Sequence, residues 1–182
     1  MRAGRLRHRL SMYEPTSGAA KYIGEISADI TASESAMPSA ATGLRTGARV
    51  NIRTRYDARL KQGVILSADG RLFHAVSVRD PMGKRAELVT TCEEFSGKEA
   101  VISVNGCEIK APVFITYHAP YYDDFGKVTD YKTKVEYLIA QLGRLQQGDL
   151  ITIDGKRYQV LKYVGDTDDT VTRSVWVGDY AG

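Results

Sequence analysis

The sequence predicts an all-β fold of two tandem domains with long loops, and the main evidence is an internal repeat. Shifting Arg49–Val78 by 85 positions aligns it, without a gap, with Lys134–Tyr163. Seven aligned positions are identical, and two of them form the same Asp-Gly pair in both copies. A repeat of this kind indicates one domain used twice in tandem. The alternative is a common β-hairpin that occurs twice in an all-β chain.

Asp-Gly and Asn-Gly pairs mark the expected hairpins. These pairs favour the two-residue type I′ turn, because both of its central residues need positive φ. On this ground we predict three hairpins, which pair Val64–Ser67 with Arg71–Val78, Val101–Val104 with Glu108–Ile115, and Leu150–Ile153 with Lys156–Val164. Further strands are predicted where apolar and polar residues alternate, at 5–13, 22–30, 50–56, 86–92 and 170–177.

One segment gives conflicting signals. Apolar residues in 130–145 recur at helical spacing, but the aligned copy Arg49–Tyr56 alternates as a strand does. We therefore predict a strand through about Ala140 and then a turn. Two long stretches, Thr31–Ala48 and Tyr117–Lys132, are predicted to be loops, and they occupy the same place in the two copies.

Length and charge also suggest two parts. The chain is long enough for two domains, which we place at residues 1–96 and 97–182. Residues 1–97 hold 15 Lys and Arg against 10 Asp and Glu, a net charge of +5, whereas the rest hold 10 against 12, a net charge of −2. This asymmetry predicts different neighbours for the two halves, although ordinary variation in surface charge would also produce it. No run of 18 apolar residues occurs, so no membrane span is expected.

Motifs for chemistry are missing from the sequence. No His or Cys pair has the spacing of a metal site, and no nucleophile or phosphate-binding motif occurs. We therefore expect a protein that is not an enzyme and that uses no cofactor or metal. Cys92 and Cys107 are expected to be two isolated buried thiols rather than a disulfide.

Four segments of the first half carry a family resemblance: Gly4–Leu10, Arg49–Asp57, Asp69–Asp80 and Glu87–Glu94. In this order they resemble the head-tail joining, or head-closure, family of tailed phages. Two features depart from that family. The strand at 22–30 lacks a tryptophan that is often there, and Ala48 stands where a histidine is common.

Two segments of the second half, Arg144–Val160 and Ser174–Asp179, are similar to the small head-tail connector of lambda-like phages. Both families are small antiparallel β-barrels of the phage neck. The resemblance therefore implies two tandem barrels in a structural connector, or stopper, that forms a homo-oligomeric ring of six or twelve copies. It also implies a portal or adaptor protein on the head side, a tail terminator or tail protein on the other side, and packaged double-stranded DNA in the channel. The expected location is the virion neck, after assembly in the host cytoplasm.

Three groups of residues are candidates for these contacts. Arg2, Arg5, Arg7 and Arg9 are predicted to dock on the portal or adaptor protein; the alternative is an edge strand whose arginines prevent aggregation. The first loop, with Ser39, Thr42, Arg45 and Arg49, is predicted to face the channel and close it. The second loop carries Tyr121, Tyr122, Asp123, Asp124 and Lys127. Both loops would alternatively contact neighbouring subunits.

Two other kinds of function remain as alternatives. One is a nucleic-acid-binding module, because small β-barrels bind single strands through aromatic and basic residues on one face. Arg53, Arg55 and Tyr56 fit that pattern, but the aligned positions of the second copy do not. The other is a different neck component, such as an adaptor or a tail-completion protein. An enzyme is disfavoured by the missing motifs.

Overall fold

The computed structural model describes residues 6–16, 20–32, 43–104, 106–122, 125, 127–165 and 171–180, with the backbone alone at 45–48. The described strands and helical turn are β1 His8–Pro15, β2 Ala20–Ala32, β3 Arg45–Arg55, β4 Ile65–Ala68, β5 Arg71–Arg79, β6 Glu87–Phe95, β7 Lys98–Val104, β8 Cys107–Tyr122, β9 Val128–Leu138, α1 Ile139–Leu142, β10 Leu150–Ile153, β11 Lys156–Tyr163 and β12 Thr172–Asp179. The described residues divide into two units between Phe95 and Ser96. The predicted boundary lies one residue further on.

Unit 1 is a closed antiparallel barrel with the strand order β1-β2-β3-β6-β5-β4. Alternate residues of each strand point inward, as Leu10 and Met12 do on β1, and they pack around the buried ring of Phe73. Closure gives β1 partners on both sides, because it pairs with β2 along its length and with β4 at Ser11–Tyr13. The interpretation of β1 as an edge strand is therefore wrong for the strand as a whole.

Unit 2 is a second closed antiparallel barrel, with the order β10-β11-β12-β9-β8-β7. Its core is built around Tyr137, Ile102 and Ile151, which are fully buried. The prediction of an all-β chain with two tandem small barrels is thus confirmed.

The two barrels share one topology. Replacing β1 to β6 by β7 to β12, in order, reproduces every strand pair. The irregularities agree as well: the β5–β6 ladder shifts register between Ala75 and Ser77, and the β11–β12 ladder does so between Val160 and Lys162, 85 positions later. The strands that contain residues 49–78 and 134–163, β3 to β5 and β9 to β11, therefore occupy the same topological places in the two barrels, as a duplication predicts.

The ungapped alignment is wrong in one strand. Ile52 pairs with Thr90 on β6, and Val135 pairs with Val175 on β12. Thr90 and Val175 are 85 positions apart in sequence, whereas Ile52 and Val135 are 83 apart. β9 therefore corresponds to β3 at a shift of 83 residues, whereas the strands after it correspond at a shift of 85. The connection after β9, which contains α1, makes up the difference of two residues. The strand predicted through Ala140 ends at Leu138, and the first part of the predicted turn is helical.

The repeated glycines close equivalent connections. Gly63 donates its N–H to a β5 carbonyl at 2.8 Å, and Gly148 donates to a β11 carbonyl at 2.9 Å. Both have positive φ, 90° and 97°, which glycine adopts without steric cost. Leu60 and Leu145, three positions earlier in each copy, are buried. The identities of the repeat therefore lie where the backbone turns and where the barrel end is filled.

The second predicted loop, Tyr117–Lys132, is instead mostly a β-hairpin, because β8 continues to Tyr122 and β9 begins at Val128. The ladder between them shifts register twice, between Thr116 and Ala119 and again beside Tyr121. Each shift interrupts the alternation of apolar and polar residues that marks a strand, so the sequence pattern predicts a loop here.

The first predicted loop is shorter than expected. β2 extends to Ala32, and β3 begins at Arg45. Residues 33–42 of this loop lie outside the described part of the chain.

The two cysteines have different surroundings. Both are free, but Cys92 is buried on β6 whereas Cys107, the first residue of β8, is exposed. The prediction of two buried thiols is therefore wrong for Cys107, which lies beside a turn. Burial raises the pKa of the Cys92 thiol to about 12.

Candidate interaction surface

The predicted docking arginines are only partly described. Arg2 and Arg5 lie outside the described residues, and Arg7 is exposed just before β1. Arg9 lies on β1 and forms an ion pair with Glu25 on β2. That pair offsets part of the charge that Arg9 would offer to a partner, so Arg7 is the better docking candidate among the described residues.

The predicted channel-facing residues do not form a described group. Ser39 and Thr42 lie outside the described residues, whereas Arg45 and Arg49 belong to β3 rather than to a loop. Arg49 is exposed and lies opposite Glu93 on β6.

The residues of the second predicted loop do not form one group. Asp123 and Asp124 lie outside the described residues, and Lys127 is exposed between β8 and β9. Tyr121 and Tyr122 are adjacent on β8, so their side chains point to opposite faces of the hairpin.

The most distinctive surface feature is a hairpin that we call the arm, formed by Thr116–Tyr122 of β8 and Val128–Lys132 of β9. β8 pairs with β7 only as far as Val113, and β9 pairs with β12 only from Thr133. Beyond those points, the two described strands pair with each other alone. A two-stranded hairpin is marginally stable by itself, so the arm must be held by packing on the barrel.

The inner face of the arm supplies that packing through Tyr121. Its ring lies edge-on to Trp176 with 5.3 Å between the ring centroids. The Nζ atoms of Lys132 and Lys162 lie 3.9 Å and 4.4 Å from the centroid of the Tyr121 ring. Aromatic pairs and ammonium groups over aromatic faces both attract through the ring quadrupole. These contacts anchor the arm on the outside of the unit 2 barrel.

Trp176 is the surface on which the arm rests. It is the single tryptophan of the chain, and its neighbours Val175 and Val177 point into the core. Trp176 therefore points outward, between Lys134 on β9 and Lys162 on β11. It is nevertheless only 6% exposed, because the arm covers it.

The outer face of the arm is aromatic and exposed. Two cross-strand pairs form it, Pro120 with Tyr131 and Tyr122 with Val128. Tyr122 and Tyr131 are 54% and 62% exposed, and Phe125, in the turn beyond them, is 96% exposed. Contiguous apolar patches of this kind are uncommon on monomeric proteins and mark interaction sites. We refer to these five residues as the outer face.

Unit 1 carries a groove of a different character. Its volume is about 580 Å³, and its lining residues are Glu14, Pro15, Lys21, Tyr22, Ile23, Arg59, Lys61, Gln62, Gly63 and Val64. Tyr22 is 55% exposed there. Lys21 and Lys61 are exposed, and neither forms an ion pair with another described residue. The groove is therefore partly apolar and carries a net positive charge, because Lys21 and Lys61 are only partly offset by Glu14. We call it the unit 1 groove.

Arg59 shapes one side of the unit 1 groove. Its Nη1 donates to the Ile23 carbonyl at 2.7 Å, and its Nη2 lies 2.6 Å from Asp57 Oδ2. The hydrogen bond from Arg59 lowers the pKa of Asp57, more than burial of the carboxyl raises it. Gly24, which has a φ of 130°, leaves room for the guanidinium where a side chain would clash with it.

Sequence reasoning missed the anchor and the groove. The sequence identifies Tyr121 only as a residue of the second predicted loop, whereas its contact with Trp176 joins strands that are distant in sequence. One signal was present: a tryptophan between two valines of a strand must point away from the core when the valines point into it. The groove combines the end of β1, the start of β2 and the connection before β4, which no local pattern brings together.

The fold and this surface define a two-barrel protein that displays an aromatic arm. No protein-family model, no curated protein and no solved structure matches the chain. Among the described residues, no group of three or more His, Cys, Asp or Glu side chains is arranged to hold a metal ion. The described part of the chain also contains no helix that is long and apolar enough to cross a membrane.

Proposed function

We propose that the chain is a structural head-tail connector of a tailed-phage neck that assembles into a ring of six or twelve copies. The family resemblance of both halves supports this role, and one observation carries it: Tyr122, Phe125 and Tyr131 are exposed together on the arm. A rigid scaffold that presents such a face is suited to protein–protein contact. The ring binds a portal or adaptor protein at one end and a tail protein at the other, and it retains the packaged DNA.

Closed barrels suit a ring of fixed copy number. A sheet with free edges can add strands of further copies without limit, which leads to open assemblies. In both units the barrel strands pair around a closed circle, so contacts between copies must use the arm, the connections or side chains. Each copy then has a defined number of contact sites, and a repeated contact between two different sites gives a ring when the rotation between neighbouring copies closes.

The location of the chain in the particle tests this function directly. We expect a chain carrying a small C-terminal tag to be found at the neck when virions of the phage that encodes it are imaged. Heads assembled without the chain should package DNA, lose it on dilution and fail to bind tails. Detection of the tag on the capsid or along the tail, or normal virions without the chain, would contradict the connector role.

The arginines before and on β1 are proposed to bind the head side of the neck. If these arginines dock on the head, the partner surface is acidic and would repel glutamates at the same positions. Charge reversal of Arg5 and Arg7 to Glu should therefore abolish binding to heads. Arg9 is left unchanged in this test, since its ion pair with Glu25 belongs to the barrel. The matched control reverses Arg79 and Lys84, two exposed cations elsewhere on unit 1, and should bind heads normally. Equal binding by both variants would remove the arginines from the docking site.

Nucleic-acid binding is the second candidate, because cations and aromatic rings do lie together on unit 2. A groove of about 260 Å³ is lined by Lys134 and Lys162 beside Tyr121, Tyr122 and Trp176. Against it, the Tyr121 ring already packs edge-on against Trp176 within the protein, which leaves less aromatic surface for bases. Binding of short single-stranded DNA, measured against salt concentration, separates the two functions. A micromolar affinity that falls steeply with salt favours the binding module, and millimolar or weaker binding favours the connector.

A further inference from the structure

We infer that the outer face of the arm of one copy inserts into the unit 1 groove of a second copy of this chain. The inference rests on the proposed function, since it names the contact that would join the copies of the ring. The arm belongs to unit 2 and the groove to unit 1.

The chemistry of the two surfaces is complementary. The outer face offers aromatic and aliphatic side chains, and the unit 1 groove offers Tyr22, Ile23 and Pro15 as apolar partners. The sequence of the arm and its turn, residues 116–132, carries three aspartates and two lysines, a net charge of −1. The groove lining carries Lys21, Arg59 and Lys61 against Glu14, and the ion pair of Arg59 with Asp57 brings the net charge to +1. Like charges at either contact would repel, so an arm meeting another arm, or a groove meeting another groove, is disfavoured.

The exposure and the size of the two surfaces also agree. Phe125 and Tyr122 are displayed at the end of a hairpin whose inner face is already used for anchoring. A cavity of about 580 Å³ falls within the range of roughly 300–1,000 Å³ that encloses a small ligand, so it accommodates the side chains of an arm end. Aromatic side chains that fill such a pocket, with cations at its rim, are typical of the residues that dominate binding energy at interfaces.

The two surfaces differ, so the contact is heterologous. A contact between site A of one copy and site B of the next generates a ring when the rotation closes. Each copy uses its arm once and its groove once. This is the arrangement that a ring of six or twelve copies requires, and neither surface alone supplies it.

Two complementary variants of the full chain test the contact. The arm variant replaces Tyr122 and Phe125 by Ser, and the groove variant replaces Lys21 and Lys61 by Glu. Sedimentation velocity should show that each variant alone is monomeric, with its self-association weakened at least about 10-fold, because an aromatic anchor or the charge attraction is lost. A mixture of the two should form heterodimers and nothing larger, since the intact arm of one variant fits the intact groove of the other.

Matched controls identify effects that do not belong to the contact. Met82→Ser removes an apolar side chain that is 72% exposed on unit 1, and the pair Arg79→Glu and Lys84→Glu changes the net charge by the same amount as the groove variant. Both should associate as the unmodified chain does. Circular dichroism of each variant should show the β signal of the unmodified chain.

The possible results separate failure of this inference from failure of the proposed function. If the groove variant still assembles and the arm variant does not, the arm contacts another arm or a different protein. That result overturns the inference but leaves the proposed ring intact. Variants that both assemble like the unmodified chain also overturn it. An unmodified chain that stays monomeric at every concentration contradicts both the contact and the ring.

Discussion

Tyr121→Ala should release the arm from the barrel. In the folded chain, the Tyr121 ring lies 5.3 Å from the Trp176 ring and is approached by the ammonium groups of Lys132 and Lys162. An aromatic pair contributes about 1 kcal/mol beyond burial, and each ammonium group over the ring contributes about 0.5 kcal/mol. The loss is then roughly 2 kcal/mol, which corresponds to a change of about 30-fold in the equilibrium between the attached and the detached arm.

Tryptophan fluorescence reports this change at one site, because Trp176 is the only tryptophan and lies beneath Tyr121. Detachment exposes its indole ring, so emission should shift to longer wavelength and quenching by acrylamide should increase. Tyr131→Ala is the matched control, since this tyrosine is 62% exposed on the outer face of the arm, does not line the groove around Trp176, and should leave the emission unchanged. The reasoning is refuted if Tyr121→Ala emits like the unmodified chain, or if both variants shift the emission equally.

Two further predictions concern the barrel of unit 1 and the thiols. Gly24→Ala should destabilise unit 1 by about 1–3 kcal/mol in urea unfolding, because a φ of 130° is strained for other residues and the added methyl group would displace Arg59. Gly165→Ala, where no atom lies within 4 Å, should cost far less. Equal costs for the two variants would contradict the role given to Gly24. A thiol reagent at pH 8 should label Cys107 within minutes but leave Cys92 unlabelled until the chain unfolds, since burial keeps that thiol protonated; mass spectrometry of labelled peptides decides, and rapid labelling of both would be inconsistent with the structure.

Local backbone rules account for what the sequence predicts well. The Asp69-Gly70 and Asp154-Gly155 turns have φ values of 50° and 75°, and of 51° and 77°, the positive values that a type I′ turn requires. The hairpins on either side follow with their predicted pairing. The same rules identify the duplicated domain, because the geometry of a turn depends on a few adjacent residues.

Irregular pairing and distant contacts account for what the sequence does not predict. His118 has a φ of 55° within the register shift of β8, a conformation uncommon outside glycine, and the alternation of the arm breaks there. The two-residue difference between the copies is absorbed by α1, which an ungapped alignment cannot detect. The pairing of Tyr121 with Trp176 depends on how the arm lies on the barrel, and therefore on tertiary packing rather than on local pattern.

The mass of the assembled chain, measured by native mass spectrometry, tests the ring most directly. The predicted result is one closed species of six or twelve copies that keeps its copy number as the protein concentration increases. A monomer at every concentration, or a ladder of species that lengthens without limit, would contradict a connector ring.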